Sequence, residues 1–279
     1  MRDLTEAVRR ITGRRAYHLL QDRPGRFVVR VTDRDGSPSV IKFDERPERS
    51  ARERAVLTHL AGGPAASLVP AVGRHGLLPD GTAYLQTEAV GPDPTGLPAA
   101  PGGPDAVGRQ VLGAHVRTLH RSLVSLDPGT APALRDPPRI GDFGCAQARL
   151  LVSWGELSAR TAARLRERVE ALPRTRAVVH GDLKREHVFH DRVGTRFIDW
   201  ADVRVADPMW DIAVLTLDDV DHTPGLLRGY GADADAESVT VQRLVRAMSD
   251  VTRARAAGRP AHGPLSRLHA LLNTREEDP

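Results

Sequence analysis

The chain has 279 residues, enough to bury a core without disulfide or metal staples, and its 40% hydrophobic and 27% charged residues exclude a disordered chain. No apolar run approaches the roughly 20 residues of a membrane-spanning helix, and the single cysteine, Cys145, excludes an internal disulfide and a multi-cysteine metal site. A net charge of +4 spread along the chain, with only 4% aromatic residues, supplies neither a basic stripe nor stacking platforms, so neither nucleic acid nor a membrane is an expected partner.

The opening residues MRDLTEAVRR carry charge throughout and lack an apolar h-region, so a cytoplasmic protein is expected. Asp3 and Glu6 have capping-box spacing, Leu4, Val8 and Ile11 form a helical stripe, and Gly13 suits a C-terminal cap, which predicts a first helix. Strands are expected over 16–20, 27–31 and 39–43, separated by QDRPGR and TDRDGS, which have hairpin-turn composition. A helix over 50–60 and short strands over 68–72 and 83–89 complete a meander with one helix inserted. The stretch 91–104, GPDPTGLPAAPGGP, is too rich in Pro and Gly for a helix or central strand and marks a lobe boundary or a surface connection. Beyond it, helices are expected over 105–126, 143–153, 156–172 and 239–257, and VFHDRVGTRFIDW reads as a hairpin.

Of the 40 Lys and Arg residues only Lys42 and Lys184 are lysines, so each marks a place where a compact point charge is wanted rather than a planar guanidinium. The strongest chemical signal is HGDLKREH at 180–187, followed by FIDW at 197–200. Phosphoryl transfer needs one carboxylate to orient an acceptor hydroxyl and take its proton, and a second to hold Mg²⁺ against nucleotide phosphates. Asp182 fits the first role and Asp199 the second; the bland alternative is two unrelated polar loops.

HGDLKREHVF and IDWADVRVADPMWDIA resemble the catalytic loop and metal-binding segment of the aminoglycoside phosphotransferase family, relatives of the protein kinases that phosphorylate antibiotics and other hydroxylated small molecules. The resemblance implies an α+β, two-lobed protein-kinase-like fold. Residues 1–90 would form an N-terminal nucleotide-binding lobe of antiparallel sheet with one helix, ending in a hinge. Residues 91–104 would be the connection, and 105–279 a mainly helical catalytic and substrate-binding lobe. It further implies Mg²⁺ and ATP or GTP as phosphoryl donor.

Lys42, in the strand SVIKF, resembles the family's phosphate-meeting lysine. Its expected partner is Glu53, which shares the inward stripe of Val56, Leu57 and Leu60 and would be a buried carboxylate without that counter-ion; the alternative is a solvated residue between Arg52 and Arg54. Lys184 is either part of the catalytic loop's chemistry or simply exposed. Position 187, commonly Asn in the family, is His here, as in some macrolide kinases; His187 either joins Asp199 at the metal or holds its loop by a hydrogen bond. His180, Asp207 and Asp211 read as braces of loop backbone.

QDRPGR holds one Gly, so Arg26 is the candidate to meet phosphates by charge. Thr87, Glu88 and Ala89 have the position of the hinge whose backbone meets the purine. The tripeptide Asp-Phe-Gly at 142–144 precedes the catalytic loop, so Asp142 is read as a helix N-cap and not as the metal ligand. Asp218, Asp219 and Asp221 either meet cationic amines of the acceptor or form a solvated helix end. The function expected is transfer of a nucleotide γ-phosphate to a hydroxyl of a small molecule, an aminoglycoside-type antibiotic first. The alternatives are a kinase for a macrolide or another natural product, and a nucleotide-binding pseudokinase.

Overall fold

The computed structural model describes residues 4–33, 35–91, 106–126, 140–173, 176–190 and 194–273. The Pro/Gly-rich connection after Gly91 and the proposed cap Asp3 lie outside the described residues. The chain forms two compact units, Met1–Gly103 with Arg121–Leu134 and Arg185–Val203, and Pro104–His120 with Arg135–Lys184 and Arg204–Pro279.

The first unit is built on helix α1 (Leu4–Thr12) and a five-stranded antiparallel sheet of order β1-β2-β3-β5-β4, with β1 His18–Arg23, β2 Arg26–Thr32, β3 Pro38–Asp44, β4 Val72–Leu77 and β5 Ala83–Glu88. Alternation along β3 sends Ile41 and Phe43 into a core with Val8, Ile11, Val29 and Val31, and therefore turns Lys42 to the opposite face. Helix α2 (Pro47–Ala61) buries Glu53, Val56, Leu57 and Leu60 along one stripe. The expected strand over 68–72 does not form. A short 3-10 turn, Ala66–Leu68, stands there and β4 begins at Val72, because the apolarity of Leu68 and Val69 reflects burial and Pro70 cannot donate to a ladder. The expected loop QDRPGR is also shorter than its composition suggests: β1 and β2 run to the register Arg23↔Arg26, leaving Pro24 and Gly25 as the turn, with Gly25 at φ 74°. Arg26 is thus a strand residue, not a loop residue.

The hairpin β7 (Val188–His190) with β8 (Thr195–Phe197) also belongs to the first unit. The second holds α3 (Ala106–Leu123) as far as His120, α4 (Ile140–Ser153), α5 (Ala159–Ala171), α6 (Met209–Leu215), α7 (Thr223–Tyr230), α8 (Ala236–Ala256) and α9 (His262–Asn273), with one small antiparallel pair, β6 (Ala177–Val179) with β9 (Arg204–Ala206). Helix α8 is its spine: Val241, Leu244, Val245, Met248 and Val251 pack with Leu151, Leu165, Trp210 and Leu268. Each such fully buried side chain contributes about 1.5–3 kcal/mol. Gly144 lets α4 approach α8, since a Cβ there would lie 3.0 Å from Val245. Asp142 falls in the first turn of α4, which begins at Ile140, so it is not the N-cap. Helix α5 starts later than expected because Ser158 caps it, accepting from the Thr161 amide at 3.0 Å. The architecture is α+β, and no described helix is long and apolar enough to cross a membrane.

Candidate active site

In the first unit, Lys42 Nζ donates to Glu53 Oε1 at 2.5 Å and lies 3.1 Å from Asp199 Oδ1, while Arg26 Nη2 donates to the same Oδ1 at 2.6 Å. Strands β2 and β3 deliver the two cations, α2 delivers Glu53, and the end of the β7–β8 hairpin delivers Asp199. Glu53 Oε1 also accepts from the Trp200 amide at 3.3 Å, fixing the residue that follows Asp199. Trp200 is itself fully buried and its indole donates to the Phe197 carbonyl at 3.0 Å. Asp199 adopts φ 66°, ψ 57°, the only described non-glycine residue at positive φ. Such a conformation costs free energy and persists where surrounding contacts over-determine it.

Burial of Asp199 favours its neutral form, but Lys42, Arg26 and His187 outweigh it and hold the carboxyl far below the ordinary range. Burial likewise disfavours the Lys42 charge, yet Glu53 and Asp199 raise its pKa above the ordinary value. Glu53 is buried and Arg26, Lys42 and Asp199 are partly buried, an array of alternating charge.

His187, on a short 3-10 turn, places Nε2 3.6 Å from Asp199 Oδ2. Among the described residues no group of three or more His, Cys, Asp or Glu side chains gathers as a metal cage. A magnesium ion held mainly by triphosphate oxygens and water needs only one or two protein carboxylates. The ionised Asp199 fits that requirement: Oδ1 is engaged by Arg26 and Lys42, and Oδ2 faces the His187 imidazole.

The expected hinge is less available. The Glu88 amide donates to the Ala71 carbonyl at 2.9 Å, the Ala89 amide to the Pro38 carbonyl at 3.2 Å, and the Glu88 carboxylate pairs with Arg196 at 2.5 Å. Thr87 is buried in the sheet opposite Val40 and Val72.

In the second unit, β6 leads into His180, Gly181 and Asp182. The buried Asp211 carboxylate accepts from the His180 amide at 2.7 Å and the Gly181 amide at 2.9 Å, and is itself held by His120 at 3.0 Å. The other His120 nitrogen meets the Tyr230 hydroxyl at 3.0 Å. Burial and Asp211 push that phenol up to about 12. The Gly181 carbonyl accepts from Arg204 at 2.6 Å and the Trp210 indole at 2.8 Å, so amide and carbonyl groups preceding Asp182 are both pinned. Asp207 accepts from the Met209 amide at 2.8 Å and the Ser238 hydroxyl at 3.1 Å.

Asp182 Oδ1 accepts from Arg246 Nη1 at 2.8 Å and Oδ2 lies 3.0 Å from Lys184 Nζ. Burial opposes ionisation, but Arg246 and Lys184 lower the carboxyl pKa to about 2. Arg246 bridges onward to Asp250 at 3.0 Å. Among the acids considered for amine recognition, Asp218 pairs with Arg267 at 2.7 Å and Asp219 with His222 at 2.9 Å, while Asp221 is exposed. Sequence reasoning did not single out Arg246, Arg204, His120 or Tyr230. Arg246 had one signal: it is a charged residue among the apolar positions of α8, where burial demands a counter-ion.

A β-rich unit with a partly buried Lys–Glu–Asp array, and a helical unit with a braced catalytic-type loop, define a kinase-like phosphotransferase class. Residues 7–247 match the family model described as "APH: Phosphotransferase enzyme family", and the chain belongs to that family. No curated protein matches it in sequence. Among solved structures, the GDP complex of wild-type aminoglycoside 2'-phosphotransferase-IIIa is similar at TM-score 0.70 and 16% identity, with 96% of each chain covered. The GDP and kanamycin complex of APH(2")-IIIa gives TM-score 0.69 and 16% identity over 93% of this chain and 94% of that one. A thermostable mutant of aminoglycoside phosphotransferase APH(4)-Ia, in ternary complex with ADP and hygromycin B, gives 0.68 and 14% over 99% of each. The fold is thus the two-lobed kinase-like fold of these enzymes.

Proposed function

We propose that this chain transfers the γ-phosphate of ATP or GTP to a hydroxyl of a small molecule, in the cytoplasm where the donor is supplied. The observation that carries the reading is Asp199, held ionised in a left-handed backbone conformation by Arg26 and Lys42, with Lys42 anchored by Glu53. Residues 1–90 would supply the nucleotide-binding groups Arg26, Lys42 and Glu53, and 105–279 the groups Asp182, His187 and Asp199.

In this reading Lys42 and Arg26 move from Asp199 toward phosphate oxygens, where fixed cations stabilise the charge of transfer. Mg²⁺, held by Asp199 with or without His187, would neutralise the phosphate charge. Asp182, with a pKa of about 2, is a weak base. Its role is to align the acceptor hydroxyl and receive the proton late, after bonding to phosphorus has advanced, so position matters more than basicity. The Asp211 and Trp210 braces hold it there.

Kanamycin and hygromycin B, bound in two of the similar structures, make aminoglycoside-type antibiotics the first acceptors to test, with resistance or self-protection as the role. A second reading, an acceptor that is not a polycation, is favoured by the ion pairs that already engage Asp218 and Asp219. Purified protein is incubated with ATP or GTP, Mg²⁺ and a panel of aminoglycosides, macrolides and other hydroxylated compounds, and phosphate gain is followed by mass spectrometry. Nucleotide binding without transfer to any member would refute the enzyme reading in favour of a pseudokinase.

A further inference from the structure

The second unit contains a buried cation that the catalytic reading leaves unexplained. Arg243 is 5% exposed, and among the described residues it meets no carboxylate. Its Nη2 donates to the hydroxyls of Thr216 and Thr223, each at 2.6 Å, while its buried Nε has no hydrogen-bond partner. The two carboxylates of α8 are already claimed, Glu237 by Arg168 and Asp250 by Arg246 and Arg267, and so are Asp182, by Arg246 and Lys184, and Asp218, by Arg267. Burial alone lowers the Arg243 pKa to about 10, which leaves it cationic at neutral pH.

Burying a charge without a counter-ion is costly, so such a group persists where something offsets it. Arg243 lies three residues before Arg246 on α8, one turn along the same helix face, and Arg246 touches Asp182. Thr216 gives its own hydroxyl proton to the Ile212 carbonyl at 2.7 Å, whereas the half-buried Thr223 has no acceptor for its proton among the described residues. The unused donors are therefore Nε and Nη1 of Arg243 and the hydroxyl of Thr223. A guanidinium N–H group close to a hydroxyl donor can give hydrogen bonds to the oxygens of a carboxylate or a phosphate.

Resting on the phosphotransferase reading, we propose that Arg243 and Thr223 bind an anionic group, carboxylate or phosphate, of the acceptor whose hydroxyl Asp182 aligns. An acceptor of this kind meets a cation that lacks a counter-ion, whereas a polyamine meets the Arg243–Arg246 face with like charge.

The full isotope-labelled chain tests this by NMR. The Arg243 Nε–H resonance, assigned by its loss in Arg243→Lys, is followed while inorganic phosphate, acetate or glycerol is added in the presence of saturating ADP. A saturable shift with phosphate and acetate and none with glycerol is expected, with phosphate affinity falling about tenfold or more in Arg243→Gln. Thr223→Val, which keeps the buried charge, provides a second variant and should weaken phosphate binding severalfold. Absence of a shift, or unchanged affinity in both folded variants, overturns the site. In the transfer assay, a hydroxy acid is compared with its amide, and a sugar phosphate with its parent sugar. Preference for either anionic form, lost in Arg243→Gln, supports the proposal and says which anion is received. Equal use of the neutral forms or of polyamines overturns it and leaves the phosphotransferase reading intact. Phosphate binding at Arg243 without transfer to any compound supports the anion site and counts against that reading instead.

Discussion

Arg246 Nη1 donates to Asp182 Oδ1 at 2.8 Å, so a residue of α8 fixes the carboxylate assigned to align the acceptor hydroxyl. Because the guanidinium also bonds Asp250, its plane is set by two acids and Asp182 inherits that orientation. Arg246→Met should lower kcat while leaving the KM for nucleotide unchanged, and cost about 3–5 kcal/mol of stability by stranding a buried charge. Arg246→Lys keeps the charge without the fork and should recover stability better than kcat. Steady-state kinetics with urea unfolding checks both; loss of nucleotide affinity equal to the loss of kcat would contradict a positioning role.

Asp182→Asn should reduce kcat by about two to four orders of magnitude, the range for loss of a positioned acid–base group, with nucleotide affinity retained. Its acid titration gives an independent check. The folded carboxyl sits at about 2 against an ordinary 3.8, so its contribution to stability is complete above pH 3.8 and lost as pH falls toward 2. The wild-type chain should lose stability across that interval more steeply than Asp182→Asn. Identical acid denaturation curves would mean that Arg246 and Lys184 do not hold the carboxylate in solution.

Lys42→Met leaves Glu53 buried without its ion pair and should destabilise by about 3–5 kcal/mol, whereas Lys42→Met with Glu53→Leu should recover part of that loss because the charge pair is removed together. Activity should remain abolished in both. A double variant no more stable than the single would show that the coupling between these side chains is weak, despite their 2.5 Å contact.

The pairing of Lys42 with Glu53 follows from two periodicities: alternation along β3 turns Lys42 away from Ile41 and Phe43, and the α2 stripe buries a glutamate that then needs a cation. The meander with one helix was legible for the same reason. What was not legible depends on long-range packing. Arg26 reads as a loop residue because Pro-Gly composition marks a turn without giving its length. The 68–72 segment reads as a strand because apolarity reports burial, whatever the backbone does. In a local window Arg246 shows only as a charge among the apolar positions of α8, since its partners Asp182 and Asp250 are revealed only when α8 packs beside the loop that carries Asp182.

Asp199 combines a charge with a left-handed backbone, and three substitutions separate these contributions. At φ 66° a Cβ crowds the following carbonyl, at a cost of about 1–2 kcal/mol that Asn tolerates better than most residues and Gly avoids. Asp199→Asn, Asp199→Ala and Asp199→Gly all remove the carboxylate that Arg26 and Lys42 share, so each should lose Mg-nucleotide binding. Stability should separate them: Asp199→Ala should be the least stable, and Asp199→Gly should exceed it although glycine costs more chain entropy in the unfolded state. Calorimetric unfolding and titration with Mg-ATP read the two properties independently. An alanine variant as stable as the glycine one would show that the left-handed backbone is not retained, and normal Mg-ATP binding by Asp199→Asn would remove the carboxylate from the metal.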